Sequence, residues 1–488
     1  MSEKEKKPEG VSRRTAVQTV GGAVLGLAIG AAAGWLGKPT LPAQVTTVTE
    51  TATATMTATA GLPSTTAAAT VAGGPGIDYY YDPTLKGTTI NLLFADTPEV
   101  TQTLARVTEF EDETGIKVNA VVEPENSTEA KASLEFTGKS SQYDVIHASG
   151  FGSVAYSWLL SNFIESLEPY VAKTPAGWNK EDIFASVLGN CSMEGKLFTL
   201  PHVAVDYPYF YRTDVIDTPP KTLDEMMANA KKFHNPPSLY GFCAAGTPDI
   251  FSFFTWEVLL WAYGGRWFDE NFHPELNSDA AYNATKYMLD IAKYAPAFTT
   301  TDADGAATFM AQGKIAQLTD FASDWTTSII AKSSKVIGTA GYAPHPSAVC
   351  EPHMLAGISM AINSFSKQKD AAWSFISWAT SPRAQQEMVN VGMGGTIRQS
   401  VATSPQTRNI NPFVADTVGW LVGSKPTGSG AFKVACAIMP PMPRVGDFVA
   451  CVVKNLAGAI GGTVGYKQAM DTAQEQATSL MKEIGLYK

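Results

Sequence analysis

Cysteine is scarce in this chain and basic charge is outweighed: five Cys occur in 488 residues, with 36 Lys and Arg against 46 Asp and Glu. Cys191, Cys243, Cys350, Cys436 and Cys451 match no zinc spacing. Their odd number leaves at least one unpaired in a monomer and one or two disulfides open to the others. The acidic balance, −10 at pH 7, excludes a nucleic-acid partner, which needs a basic footprint to neutralise phosphates. Catalytic signatures are missing too. The chain has no GxxxxGK[ST], HExxH, GxSxG or CxxC, and GMGG at 392–395 lacks dinucleotide-loop spacing and reads as a turn. His345, Cys350 and His353 lie close together, but in a proline-broken loop that frames a metal poorly. With no nucleophile beside a base, the chain is read as a non-enzyme needing neither cofactor nor metal.

The long Gly/Ala-rich apolar run is at the N-terminus, Val20–Leu36, behind Lys4, Lys6, Lys7 and the pair Arg13-Arg14. That order is an export signal or an N-terminal membrane anchor over 1–37, and the SRR opening resembles a twin-arginine signal. Thr and Ala dominate the next segment. Residues 38–87 bury too little apolar area to offset their ordering entropy and read as a linker or stalk outside the cell. Asn126, Asn190 and Asn283 each open a glycosylation sequon.

The remainder alternates strand and helix. TINLLF (Thr89–Phe94) reads as a strand, Thr97–Phe110 as a helix with Val100, Leu104 and Val107 on one face, and Gly115 as its stop before a second strand. YDVIHASG (Tyr143–Gly150) repeats the pattern, which argues an α/β body with a largely parallel sheet. Ligands of such sheets sit beyond the carboxyl ends of the strands, here Asp96-Thr97 and Ser149-Gly150. Thr222 with Glu225, Ser278, and Ser381-Pro382 mark helix starts.

The order of segments resembles the family 1 extracellular solute-binding proteins of ABC importers, most closely the maltose/maltodextrin-binding type. The resemblance runs from about Thr88 to Lys488. It rests on FEDETGIKV (Phe110–Val118), YDVIHASGFG (Tyr143–Gly152), EGKLFTLP followed by YFYRTD, PPKTLDE, FTWEVLLWAYGG, FMAQGKIAQLTDFASDW (Phe309–Trp325), the IGTAGYAPHP loop, DAAWSFISWATSPRAQQEM and AIMPPMP (Ala437–Pro443). Their shared order over about 400 residues carries the resemblance, since none is diagnostic alone.

It implies a two-lobed periplasmic-binding-protein-like (type II) fold with hinge strands and a ligand cleft. The N-terminal lobe would hold 88–204 plus 357–394, and the C-terminal lobe 205–356 plus 395–488. Carried over residue by residue, the expected ligand contacts are Asp96, Thr97, Ser149, Gly150, Asp206, Tyr207, Phe253, Phe254, Asp320, Trp325, Gly357, Met439 and Phe448. Two stacking tryptophans of the maltodextrin binders are replaced at Ile146 and Val449, and a sugar-gripping glutamate by Phe251. Trp325, placed after a strand and a polar turn, is expected to stack on the sugar. The implied function is monomeric capture of a carbohydrate and delivery to membrane permease subunits. A same-fold binder of ferric iron, a polyamine or glycerol phosphate is the alternative, with a secreted enzyme or adhesin more remote.

Overall fold

The computed structural model describes residues 77–148, 153–193, 195–269, 271–423 and 442–486. The export segment and most of the stalk lie outside them. The packed body begins at Asp78, ahead of the Thr88 expected. Tyr79 is wholly buried, and its hydroxyl donates to Glu113 Oε2 at 2.8 Å. Tyr80 N–H donates to Ser377 Oγ (3.1 Å), and Ser374 Oγ donates back to the Tyr80 carbonyl (2.6 Å).

The chain then lays down β1 (Thr89–Ala95), β2 (Lys117–Glu123), β3 (Val145–Ala148) and the short β4 (Leu200–Pro201). β1 is parallel to β2 and β3. Its Leu92, Leu93 and Phe94 are all buried, as a strand covered on both faces requires. The single helix expected over Thr97–Phe110 is two, Pro98–Leu104 and Val107–Thr114. They part at Ala105-Arg106, where Arg106 leaves helical geometry at φ −108°, ψ 3°. Gly115 ends the second helix at φ 69°, a left-handed cap natural to glycine.

After β4 the chain crosses into a second α/β lobe built on β5 (Tyr209–Arg212), β6 (Gln317–Thr319) and β7 (Ala340–Ala343). Here β5 is central and antiparallel to both neighbours, so the parallel expectation fails for this sheet. The helix Ile250–Ala262 of this lobe packs on the helices Asp279–Ile291 and Val445–Ile460, with Ser252–Ala262 buried. The chain returns for β8 (Ser359–Ile362), which inserts antiparallel between β3 and β4, giving the order β2-β1-β3-β8-β4. Thr222 forms the expected capping box, and Ser278 and Ser381 cap as expected.

The third stretch of chain between the lobes runs past Gly394 and Gly395, against Ser323 and Ala204, toward Phe413. Arg398 Nε donates to the Thr380 carbonyl (2.7 Å) and Ser400 N–H to Asp182 (2.8 Å), both on the first lobe. By Phe413, stacked on Phe210, the chain is packed into the second lobe. Cys191, Cys243, Cys350 and Cys451 are free, so no disulfide joins them, and Cys436 lies outside the described residues. Asn190 is buried, its side chain donating to the Ser186 carbonyl at 2.9 Å, which closes that sequon to a glycan; Asn283 is exposed.

Candidate functional site

The lobes are stitched by three strands of chain. Val205 and Ala356 exchange backbone hydrogen bonds of 3.0 and 2.8 Å. Gly395 lies so close to the first crossing that a Cβ there would stand 2.1 Å from the Ala204 carbonyl oxygen. Asp206 fixes this junction. Its Oδ1 accepts from Tyr207 N–H (2.7 Å) and Met354 N–H (2.9 Å), and its Oδ2 faces His353 Nδ1 at 3.0 Å. His353 Nε2 meets Glu351 at 3.0 Å. Burial pulls the His353 pKa down, but the Asp206 and Glu351 carboxylates outweigh it and hold the ring above its ordinary value. An acid inside an apolar strand is thus accounted for as a clasp between two crossings.

Beyond the hinge the end of β6 presents Asp320. Its side chain has no exposure; Oδ1 accepts from Phe321 N–H (2.9 Å), while Oδ2 has no partner. Burial, then Asp324, pushes its pKa well up. An aromatic wall stands alongside. Tyr207 meets Phe321 edge-on at 4.9 Å between centroids, and Phe254 meets the same ring at 5.5 Å. Asp324, four residues on, is half-buried and its pKa is raised to about 8 by burial, with Asp304 and Glu99 adding to it. Glu99 belongs to the first lobe, at the start of the helix Pro98–Leu104, and Ser323 and Asp324 of the second bear on its carboxyl. The lobes touch close by, where a Cβ on Gly394 would stand 2.9 Å from Ser323 Cα.

The first-lobe side of the cleft is set by a buried histidine pair. His147 Nδ1 accepts from Ala95 N–H (3.1 Å), so its Nε2 carries the proton and donates to His202 Nε2 at 2.6 Å. His202 then keeps its proton on Nδ1 for Thr103 Oγ1 (3.1 Å), which donates to the Glu99 carbonyl (2.8 Å). Both rings are neutral: burial lowers His147 well below the usual value and His202 to about 3. The relay ties the ends of β1 and β3 to the segment leading into the hinge.

The pattern of the bacterial extracellular solute-binding protein family matches residues 95–386. The chain belongs to that family. This solute-binding protein is 24% identical over 400 residues to a probable amino-acid ABC transporter periplasmic-binding protein of Sinorhizobium fredii, covering 78% of this chain and 86% of that one. It is 25% identical over 418 residues to the mannitol-binding protein of Pseudomonas aeruginosa, covering 79% and 91%. Its fold matches the crystal structure of an ABC transporter solute-binding protein from Agrobacterium radiobacter K84 in complex with ribitol, with a TM-score of 0.72, 24% identity, and 81% and 99% of the two chains covered. The fold is the two-lobed type II one.

Within this solute-binding protein the expected contacts separate. Tyr207 and Phe254 both meet Phe321, the residue that follows Asp320, and Gly357 is half-buried at the second crossing beside Ala356. Asp96 is exposed at the end of β1, and the Thr97 hydroxyl is committed to capping a helix, accepting from Val100 N–H at 3.4 Å. Asp206 is spent on the hinge, and the offered carboxylate is Asp320. Three aromatics belong to the second lobe's interior. Phe253 is wholly buried against Trp267 (5.1 Å), and Phe448 stacks on the same indole at 4.9 Å. Trp325, only 8% exposed, lies near-parallel to Phe413 (5.3 Å) and Phe210 (5.9 Å) with Tyr342 edge-on at 5.0 Å. The stacking expectation for Trp325 gives way to packing. Ser149, Gly150 and Met439 lie outside the described residues. Arg398 is buried against Trp178 and Arg444 pairs with Asp447 and Glu483, so neither is the cleft arginine a phosphate ester wants. Sequence reasoning missed Glu99 and Asp324, and weighed His353 only as a metal ligand. The acids of DAD at 302–304 and TDFASD at 319–324 were visible as a signal, though their convergence was not.

Proposed function

We propose that this solute-binding protein captures a polyol or small sugar outside the membrane and hands it to an ABC permease after the lobes close. The observation that carries this reading is Asp320, a wholly buried carboxylate with one unpartnered oxygen beside the Tyr207–Phe321–Phe254 wall. A carbohydrate hydroxyl supplies the missing donor, and its C–H face suits an aromatic surface. The mannitol-binding relative supports the class of ligand. Closure follows from differential affinity, because only the closed form brings both lobes onto the ligand. Export through the twin-arginine-like signal, with anchoring by the same segment, fits this role.

The test is calorimetric titration of the purified protein with D-mannitol, ribitol, erythritol and maltose, paired with solution scattering. Saturable binding by a member of the panel together with a smaller radius of gyration is the expected result. A silent panel alongside a response to peptides refutes the ligand class, and binding without compaction refutes closure.

A further inference from the structure

Behind Tyr207 the second lobe encloses a cavity of about 10 Å³, walled largely by apolar side chains such as Phe242 and Leu259. His345, Thr255, Thr319 and Tyr287 also line it. His345 is buried, and its Nδ1 stands 2.8 Å from the Pro346 carbonyl oxygen. A carbonyl oxygen only accepts, so Nδ1 carries the ring proton. Burial holds the ring's pKa down to about 4 against the pull of the Pro346 bond, which leaves it neutral and makes Nε2 a bare acceptor. Among the described residues none donates to Nε2. The hydroxyls beside it cannot supply the proton, because Thr255 Oγ1 already donates to the Ala245 carbonyl (2.8 Å) and the Tyr287 hydroxyl to that of Leu223 (2.6 Å). A buried acceptor left unmatched is costly.

We propose that this cavity is a binding site for a single water molecule, which donates one proton to His345 Nε2 and the other to a hydroxyl oxygen of Thr255 or Tyr287. Size fixes the class of guest, since about 10 Å³ admits one water and no organic molecule. Chemistry agrees. The guest must give a proton to Nε2 and meet oxygens whose own protons are spent, while Thr319 offers a further hydroxyl; an apolar guest leaves Nε2 unmatched. The site supports the ligand wall from behind. With its proton on the Ala245 carbonyl, Thr255 Oγ1 accepts from the Tyr207 hydroxyl at 3.4 Å, and Thr319 directly precedes Asp320 at the end of β6. One water thus joins the loop after β7, the helix Ile250–Ala262 and β6, and its hold on Thr255 passes to Tyr207. The site stands whatever solute the protein carries.

A crystal structure of the purified protein that resolves ordered water, paired with oxygen-17 magnetic relaxation dispersion in solution, decides the matter. A density peak within about 3.2 Å of His345 Nε2 is expected. In solution, His345→Leu should lose one long-lived water relative to the parent. Should that variant fold poorly, the imidazole nitrogen spectrum of the parent serves instead, and should show His345 protonated at Nδ1 and hydrogen-bonded at Nε2. A well-ordered lobe with no density at Nε2, a ring protonated on Nε2, or an equal count of long-lived waters in parent and variant overturns the site.

Discussion

The neutral His147–His202 pair makes stability depend on pH in a way that can be worked out beforehand. In the unfolded chain each imidazole takes a proton near pH 6.5. Folded, neither does, since both ring nitrogens of each are engaged and burial holds His202 down to about 3 and His147 well down as well. Lowered folded values give a contribution present above the unfolded pKa and lost as pH falls below it. At pH 5, about 1.5 units below the unfolded value, each ring costs about 2 kcal/mol and the pair about 4 kcal/mol relative to pH 7.5. Other buried groups titrate too, and acids with raised pKa such as Asp320 and Glu257 shift stability the opposite way. The difference between parent and variant is therefore the quantity to measure. A double variant, His147→Gln with His202→Gln, cannot gain those protons. Urea unfolding should show it less stable than the parent at pH 7.5, with the gap shrinking by about 4 kcal/mol at pH 5. A gap unchanged within about 1 kcal/mol, or an imidazole nitrogen resonance showing either ring titrating near pH 6.5, would refute the assignment.

Trp325→Ala should cost about 3–5 kcal/mol of stability, as truncation of a packed aromatic does, and denaturant unfolding showing less than about 1 kcal/mol would return the indole to the ligand. Gly395→Ala drives a methyl into the Ala204 carbonyl and should lower stability by at least about 2 kcal/mol; an alanine variant melting with the parent would mean the crossing relaxes at no cost. Asp206→Ala strips partners from Tyr207 N–H and Met354 N–H, an expected loss of about 2–4 kcal/mol by urea unfolding. The parent's His353, raised by its carboxylates, stabilises fully below pH 6.5, an effect lost as pH climbs through its folded value, so its NMR titration midpoint should fall in Asp206→Asn.

Much of the first lobe was legible because its signals are local. Apolar runs, helix caps and Gly115 specify β1, β2 and the helical stretch between them from neighbours in sequence, though not its break at Ala105-Arg106. The site was legible only in part. Asp320 and Tyr207 follow from their place at strand ends, whereas Glu99 and Asp324, 225 residues apart, become one group through the docking of two lobes, which no local pattern encodes. Trp325 misled for the opposite reason. Its loop position suggested an open ring face, but Phe413, from a helix about 90 residues later, covers it. The four-residue linkage from Ala95 through His147 and His202 to Thr103 was invisible because each histidine sits in a strand-like apolar run where nothing marks its partner.

The N-terminal junction also has a mechanical meaning. Arg383 makes two bonds of 2.7 Å to the Glu113 carboxylate that also accepts from Tyr79, and its Nε stands 3.6 Å from Asp78. Every one of these groups belongs to the first lobe. A pull on the chain ahead of Asp78 therefore enters through that lobe, at groups other than those of the hinge. Tension on Asp78 is borne by Glu113 and Arg383, and the crossing where Val205 and Ala356 pair lies outside that set of bonds.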